Sequence, residues 1–347
     1  MPQLSKRTAQ PTAATSSKFM KDYKQFTQNI NDFLANLPFP AHPEGLYEPI
    51  AYALTMGGKR LRPVYLLLCQ QLWNGEASPA VVAAAALEMY HNYTLLHDDL
   101  MDNADKRRGQ PTVHRKWNAN TTILSGDAML LVACRMMYDS LKGVSAQAFE
   151  LFQRTALEVM EGQQYDMNFE TRQDVTLEEY YEMIRLKTGV LIACATGMGA
   201  LIGGAPVAEA EQMFRYGAEV GRAFQLQDDY LDVFGDTQVF GKNIGGDILE
   251  GKKTYLLIQA LCKASAAQKQ DIWNWLNNQT VQPELKIAHI KSVYEQLGVD
   301  ADCRQAVKAC YERAETILQS VAKTGNLSDE AVCLLSEFSI FLKGRNF

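Results

Sequence analysis

The chain is expected to fold as one all-α domain, and three observations carry that expectation. Strand signals are nearly absent: alternating β-branched runs are few, and the one Asn-Gly pair, Asn74-Gly75, has none on either side. Long segments instead repeat apolar residues at helical spacing. Several, such as Val190–Ala200 and Met129–Met137, are apolar on more than one face, as helices inside a large bundle are. No Pro/Gly/Ser-rich linker interrupts the interior and no repeat of roughly 20–50 residues recurs, so one domain over 18–347 follows.

Taken in order, residues 1–17 are polar, with Lys6 and Arg7 but no apolar core, so they are not a secretory signal. An acid-free, Arg-bearing leader is compatible with a transit peptide, but the reading adopted is a disordered terminus. The first helical pattern runs from Lys18 through Leu37 and stops at Pro38 and Pro40. The next opens at Ser78-Pro79, an N-cap followed by proline at the first helical position. It continues through Ala83, Leu87, Tyr90 and Leu95 to about Asp102. A third spans Thr122–Leu141, with Gly143 beyond its end. Further patterns cover Ala146–Asn168, Leu177–Ile202, Ala208–Phe234 and Tyr255–Leu261, and Ala266–Phe341 reads as several shorter helices.

With 34 basic and 40 acidic residues in 347, the net charge of −6 argues against a nucleic-acid partner. Seven cysteines are scattered singly, an odd number with no paired spacing, which excludes a disulfide framework and suits a reducing cytoplasm. No uninterrupted apolar run approaches the roughly 18 residues that span a bilayer, so no transmembrane segment is expected.

The sharpest feature is a repeated acidic triplet. Asp98-Asp99-Leu100-Met101-Asp102 ends one apolar helix, and Asp228-Asp229-Tyr230-Leu231-Asp232 ends another. Residues four apart share a helix face, so Asp98 and Asp102 point together, as do Asp228 and Asp232. Like charges at that spacing destabilise a helix by themselves and call for a cation. Oxygen ligands on a rigid frame suit Mg²⁺, which keeps waters and substrate phosphate in its octahedron. A solvated acidic helix end explains one such triplet well and two poorly. Cations lie close by: Gly57-Gly58-Lys59-Arg60-Leu61-Arg62-Pro63, then Lys106-Arg107-Arg108-Gly109, then Lys242 and Lys252-Lys253 beside Asp247. Each alone reads as a surface patch. Beside two triplets, they indicate an anion held by metal on one side and Arg/Lys on the other.

These motifs resemble those of the trans-isoprenyl diphosphate synthases, the head-to-tail prenyltransferases. Gly57–Pro63 is similar to the family's GGKR-x-RP element, and the two triplets to its two aspartate-rich motifs. Arg107-Arg108-Gly109, Gly162-Gln163-Gln164-Tyr165-Asp166, Lys187-Thr188-Gly189 and Phe224-Gln225-Leu226-Gln227 follow in family order between about 50 and 260. The first motif has two residues between its acidic pair and its last Asp, where bacterial farnesyl synthases have four.

The resemblance implies antiparallel helices around a central cavity (the isoprenoid synthase fold), a homodimer, and about three Mg²⁺ ions per site with substrate bound. It implies condensation of isopentenyl diphosphate with dimethylallyl, geranyl or farnesyl diphosphate. By the same resemblance Asp98, Asp102 and Asp228 bind metal, and Asp99, Asp229 and Asp232 complete the acidic walls. Arg107, Lys187 and Lys242 contact the allylic diphosphate. Lys59, Arg62, His91 and Arg108 hold that of isopentenyl diphosphate, with Lys252 a further substrate cation. Thr188, Gln225 and the Lys187 carbonyl face the carbocation, while Gln163 and Asp166 stand behind. Prenyl tails run down the helix that ends at Asp102, so Tyr93, Thr94, Tyr90 and Met89 form the floor. An aromatic at 93 and a small residue at 94 imply a C15 or C20 product, with C20 favoured.

Other readings are weaker. His97-Asp98 could begin a metal phosphohydrolase site, but His42, His91, His114 and His289 show no matching ligand pattern. A class I terpene cyclase carries one such triplet and needs no second diphosphate site. A non-catalytic scaffold subunit of the same family loses triplets that this chain keeps.

Overall fold

Apolar positions three and four apart close into helices along nearly the whole chain, and their order fixes the frame. The computed structural model describes residues 13–74, 80–235, 244–325 and 327–343. Helix α1 (Ala13–Ala35) begins five residues before Lys18, because Ala13 and Ala14 are strong helix formers that extend it backward. Residues 13–17, expected as part of a disordered terminus, lie within the bounds of this helix. Helices α2 (Glu44–Thr55) and α3 (Leu61–Asn74) flank a five-residue loop, Met56–Arg60, so three of the seven residues of the GGKR-x-RP element are already helical. Helix α4 (Val81–Met101) carries the first triplet in its last turn, where the Asp102 N–H bonds the Asp98 carbonyl at 2.8 Å. Ser78 and Pro79 lie outside the described residues.

After α4 comes a hairpin that no strand pattern announced. Strands β1 (Lys106–Arg107) and β2 (Gln110–Pro111) pair antiparallel with Arg107 opposite Gln110. Its turn residues, Arg108 (φ 52°) and Gly109 (φ 79°), are both left-handed. Two-residue hairpin turns of that hand match the strand twist. Two residues per strand are too few for alternation to show in the sequence.

Helices α5 (Val113–Lys116) and α6 (Ala119–Leu141) follow, and Asn118 caps the second by accepting from the Thr121 N–H. Ser145 does the same for α7 (Ala146–Glu170). The helix expected to be continuous over Leu177–Ile202 is instead three pieces: α8 (Leu177–Ile184), a π-helical turn (Arg185–Gly189) and α9 (Val190–Gly203). Turns of this kind insert a residue and re-aim side chains. Helix α10 (Val207–Phe234) carries the second triplet near its end. The C-terminal third comprises α11 (Gly246–Glu250), α12 (Tyr255–Lys263), α13 (Ala266–Asn277), α14 (Pro283–Gln296), α15 (Val299–Thr324) and α16 (Asp329–Lys343).

Helix α9 is apolar all round and buried on nearly every face, wedged between α3, α7 and α10. The stretch Leu177–Gly203 is long and apolar enough to cross a membrane, yet 78% of its most apolar window is buried in the bundle. Two apolar clusters make up the core. One gathers α1–α4, α6, α7, α9 and the first half of α10, and the other gathers α8, the second half of α10 and α12–α15. Because α10 runs through both, its carboxylate end is held by the whole bundle.

Candidate active site

Helix periodicity divides each triplet. A step of one residue turns a side chain by about 100°, so the middle Asp cannot share a face with its neighbours. Asp99 is 5% exposed and accepts from Arg107 Nε at 2.9 and 3.1 Å and from its Nη2 at 2.5 Å. Asp229 is 4% exposed and accepts from the Tyr180 hydroxyl at 2.6 Å and from Gln225 Nε2 at 2.8 Å. Both middle carboxylates are thus tied back into the protein. One fixes an arginine, the other a tyrosine and a glutamine. Burial pushes Asp229 up to about 6 against the pull of these donors.

The outer carboxylates behave differently. Asp98 meets Lys187 Nζ at 3.4 Å and Arg107 Nη2 at 3.7 Å, and its Oδ1 is buried with no hydrogen-bond donor. Burial raises Asp102, with Asp98 and Asp166 adding to the rise and Lys252 and Lys187 opposing it. Across the cleft, Asp232 accepts from the Asp247 N–H at 3.0 Å and is raised by burial. Asp228 carries the charge that Arg62 senses from that wall.

Lysines stand between the walls. Lys187, projecting from the π-helical turn, donates to Asp166 at 2.5 Å as well as facing Asp98. Burial opposes its charge, but Asp98 and Asp166 outweigh it and hold the ammonium above its ordinary value. Lys252 is likewise held up against burial, by Asp247, Glu250 and Asp102, and so senses both walls. It also pairs with Glu250 at 3.0 Å. The cleft, about 480 Å³ and open to solvent, is lined by Asp166, Lys187, Gln225, Asp229, Asp247 and Lys252 among others, so the middle carboxylate of the second triplet borders it as well. Lys242 lies outside the described residues.

The turn is placed by a close approach. A Cβ on Gly162 of α7 would lie 2.2 Å from the Lys187 nitrogen, so α7 can touch this backbone only through a glycine. One turn further along α7 stands Asp166, the partner of Lys187. Thr188 donates its hydroxyl to Gln225 Oε1 at 2.8 Å, which leaves the hydroxyl lone pairs free to face the cleft. Gln163 lies with Nε2 3.7 Å from the Met101 sulfur.

A second cluster is almost wholly cationic. Arg62 Nη1 and His91 Nε2 are 3.1 Å apart, and the Arg62 Nε is buried without a partner. Burial lowers the Arg62 guanidinium to about 10, with Glu88 and Asp228 pulling up and Arg108 pushing down. Burial and four arginines (62, 108, 107 and 60) hold His91 well below its ordinary value, so it is a neutral imidazole there. Arg108 donates to the Gly57 carbonyl, and Lys59 is exposed beside it. A gathering of positive groups of this kind suits an anion.

At the foot of α4, Tyr93 packs between Tyr90 at 5.5 Å and His97 at 4.9 Å. Tyr90 meets Phe152 of α7 edge-on at 5.6 Å and donates to the Ala156 carbonyl at 2.7 Å. Thr94 turns its hydroxyl onto its own helix at His91, and Met89 is fully buried in the same stretch. Phe152 is a member that the sequence pattern did not single out, and Asp247 was noted there only as a neighbour of the lysine pair. Asp247 is raised well above its ordinary value by burial and by Asp229 and Asp232. Its place 15 residues after Asp232, ahead of a lysine pair, was the available signal.

No three His, Cys, Asp or Glu side chains converge on one point among the described residues. A buried Asp98 oxygen that faces Lys187 but makes no hydrogen bond, beside a further outer carboxylate, suits a cation that takes one or two protein oxygens and completes its shell with water and phosphate, as Mg²⁺ does.

The family model described as polyprenyl synthetase matches residues 43–297. A geranylgeranyl diphosphate synthase of Sulfolobus acidocaldarius is 34% identical over 328 residues, 93% of this chain and 98% of that protein. A geranylfarnesyl diphosphate synthase of Aeropyrum pernix is 35% identical over 305 residues, 86% and 94% respectively. A crystal structure of a geranylgeranyl pyrophosphate synthase superposes with a TM-score of 0.83 at 40% identity, covering 97% of this chain and all of the other.

Proposed function

Since the chain belongs to the polyprenyl synthetase family and is a short-chain prenyltransferase, we propose that it joins isopentenyl diphosphate head-to-tail to an allylic diphosphate and stops at an all-trans C20 product. The observation that carries this reading is the division of the two triplets, with the middle carboxylates bonded to Arg107 and to Tyr180 and Gln225 while the outer Asp98 faces Lys187. Asp98, Asp102 and Asp228 are the residues that would hold Mg²⁺, which supplies neutralisation of the leaving diphosphate.

The chain's own groups do the rest. Lys187 and Arg107 present fixed positive charge where the C–O bond breaks. The Thr188 hydroxyl lone pairs, the Lys187 carbonyl and Gln225 turn negative dipoles toward the allylic cation, and the apolar helices keep water from it. Lys59, Arg62, Arg108 and the neutral His91 hold the second diphosphate so that its double bond reaches that cation. No His or Glu stands ready in these motifs to take the C2 proton, so it passes to the released pyrophosphate. Tyr93, Tyr90 and Phe152 close the foot of the chamber. Relatives named for both C20 and C25 products support a chamber of this depth, and the aromatic row favours the shorter.

A dimer accords with the surface. Leu124, Leu131 and Tyr138, seven residues apart on α6, are 62%, 70% and 55% exposed, and Leu157 of α7 is 59% exposed. Such a stripe suits a second copy of the chain. A cytoplasmic location accords with seven cysteines that are all free. The test is product chromatography after incubation with Mg²⁺, isopentenyl diphosphate and dimethylallyl, geranyl or farnesyl diphosphate in turn. A C20 prenyl diphosphate from all three primers is expected. An end product of C15, or of C25 and longer, overturns the length assignment.

A further inference from the structure

The sequence offers three cations in the first basic element, at 59, 60 and 62, yet only two can serve an anion in the cleft. Arg60 is 4% exposed and its backbone is left-handed (φ 48°), a conformation that turns the side chain inward between Lys59 and Arg62. Its guanidinium is fully engaged. Nη1 donates to Glu88 Oε1 at 2.6 Å, Nε to Asn31 Oδ1 at 2.9 Å, and Nη2 to the Leu54 carbonyl at 2.9 Å. Asn92 Nδ2 donates to the same Glu88 oxygen at 3.2 Å. One residue earlier, the Tyr23 hydroxyl of α1 donates to the Lys59 carbonyl at 2.7 Å.

These bonds reach three elements at once. Glu88 stands one turn before His91 on α4, and Arg62 Nη1 meets His91 at 3.1 Å. The loop bearing Lys59 and the helix bearing His91 are therefore registered to each other through Arg60. Helix α1, which offers nothing to the cleft, supplies two of the bonds that hold the loop. A buried ion pair in which all three guanidinium nitrogens are engaged admits one geometry and punishes others, since a lone buried charge is costly.

We infer that Arg60 is a positioning residue for the isopentenyl diphosphate subsite, and that Asn31 and Tyr23 make the N-terminal helix part of that subsite's frame. The inference rests on the proposed function in that it takes Lys59, Arg62 and His91 as the holders of the second diphosphate. It assigns Arg60 no contact with substrate.

Steady-state kinetics with each co-substrate varied separately test it. Asn31→Ala removes the acceptor of Arg60 Nε and is expected to raise KM for isopentenyl diphosphate ~5–10-fold, with KM for the allylic substrate and kcat within about twofold. Arg60→Lys keeps the charge but loses the fork, and a larger rise in the same constant is expected. Tyr23→Phe gives an independent reading should Arg60→Lys fail to fold. Thermal melts run alongside. A lower Tm with both KM values unmoved, or both raised equally, means these residues only stabilise the fold and overturns the inference. Wild-type protein that elongates no primer rejects the proposed function itself, a different result from normal wild-type turnover with unmoved variants.

Discussion

Gly162→Ala is the most informative single change, because one methyl group separates packing from chemistry. The added carbon would sit 2.2 Å from the Lys187 nitrogen and 2.6 Å from the Leu186 carbonyl carbon and the Lys187 Cα. Comfortable separations are about 3.5–4.0 Å, so α7 and the π-helical turn must part by roughly 1–1.5 Å. All three obstacles are backbone atoms, so no side chain can swing aside to relieve them. Overpacking of this sort costs about 1–3 kcal/mol. The larger effect falls on Lys187, whose bonds to Asp166 (2.5 Å) and Asp98 (3.4 Å) both span the widened gap. A misplacement near 1 Å at a reacting centre is worth ~10²-fold in rate. The assay is single-turnover conversion of a radiolabelled allylic diphosphate, paired with a thermal melt. Gly45→Ala serves as the control, since a Cβ there meets nothing within 4 Å and should leave both measurements unchanged. A variant whose melting temperature drops while its rate stays within twofold of wild type would refute the claim that α7 aims Lys187.

The other predictions concern the triplets, the floor and the anion cluster. Asp98→Ala should cut kcat ~10²-fold or more with little change in Tm. Asp99→Asn should instead cost about 2–3 kcal/mol in a urea melt, because Arg107 loses a charged bidentate partner; equal effects from the two would refute the division of the triplet. Tyr93→Ala should lengthen the product on reversed-phase chromatography. Tyr90→Phe should cost only ~1 kcal/mol through the lost bond to the Ala156 carbonyl, and an unchanged Tyr93→Ala product pattern would rule out this floor. His91 is half-buried and neutral, with its folded value depressed below the unfolded one near 6.5. Its contribution is therefore complete above pH 6.5 and is lost as pH falls below that value, since only the unfolded chain then gains the proton. His91→Gln should flatten that part of the Tm-against-pH curve, and a curve parallel to wild type would contradict it.

Much of this protein was legible in its residues alone. Apolar spacing gave an all-helical single domain, because a 3.6-residue period leaves its mark wherever one face is buried. The four-residue spacing of Asp98 with Asp102, and of Asp228 with Asp232, by itself puts each pair on one helix face. What spacing could not decide is which carboxylate finds a partner from elsewhere in the chain. Asp99 is claimed by an arginine presented on a hairpin of two-residue strands, and Asp229 by a tyrosine 49 residues away. Arg60 looked like one more cation for the anion until burial against Glu88 and Asn31 turned it into an anchor. The π-helical turn under Lys187 was likewise invisible, and so was the approach of Gly162 to it from another helix. Local sequence fixes periodicity and which groups are present; partner choice and aim depend on contacts between segments far apart in the chain, which only the packed bundle brings together.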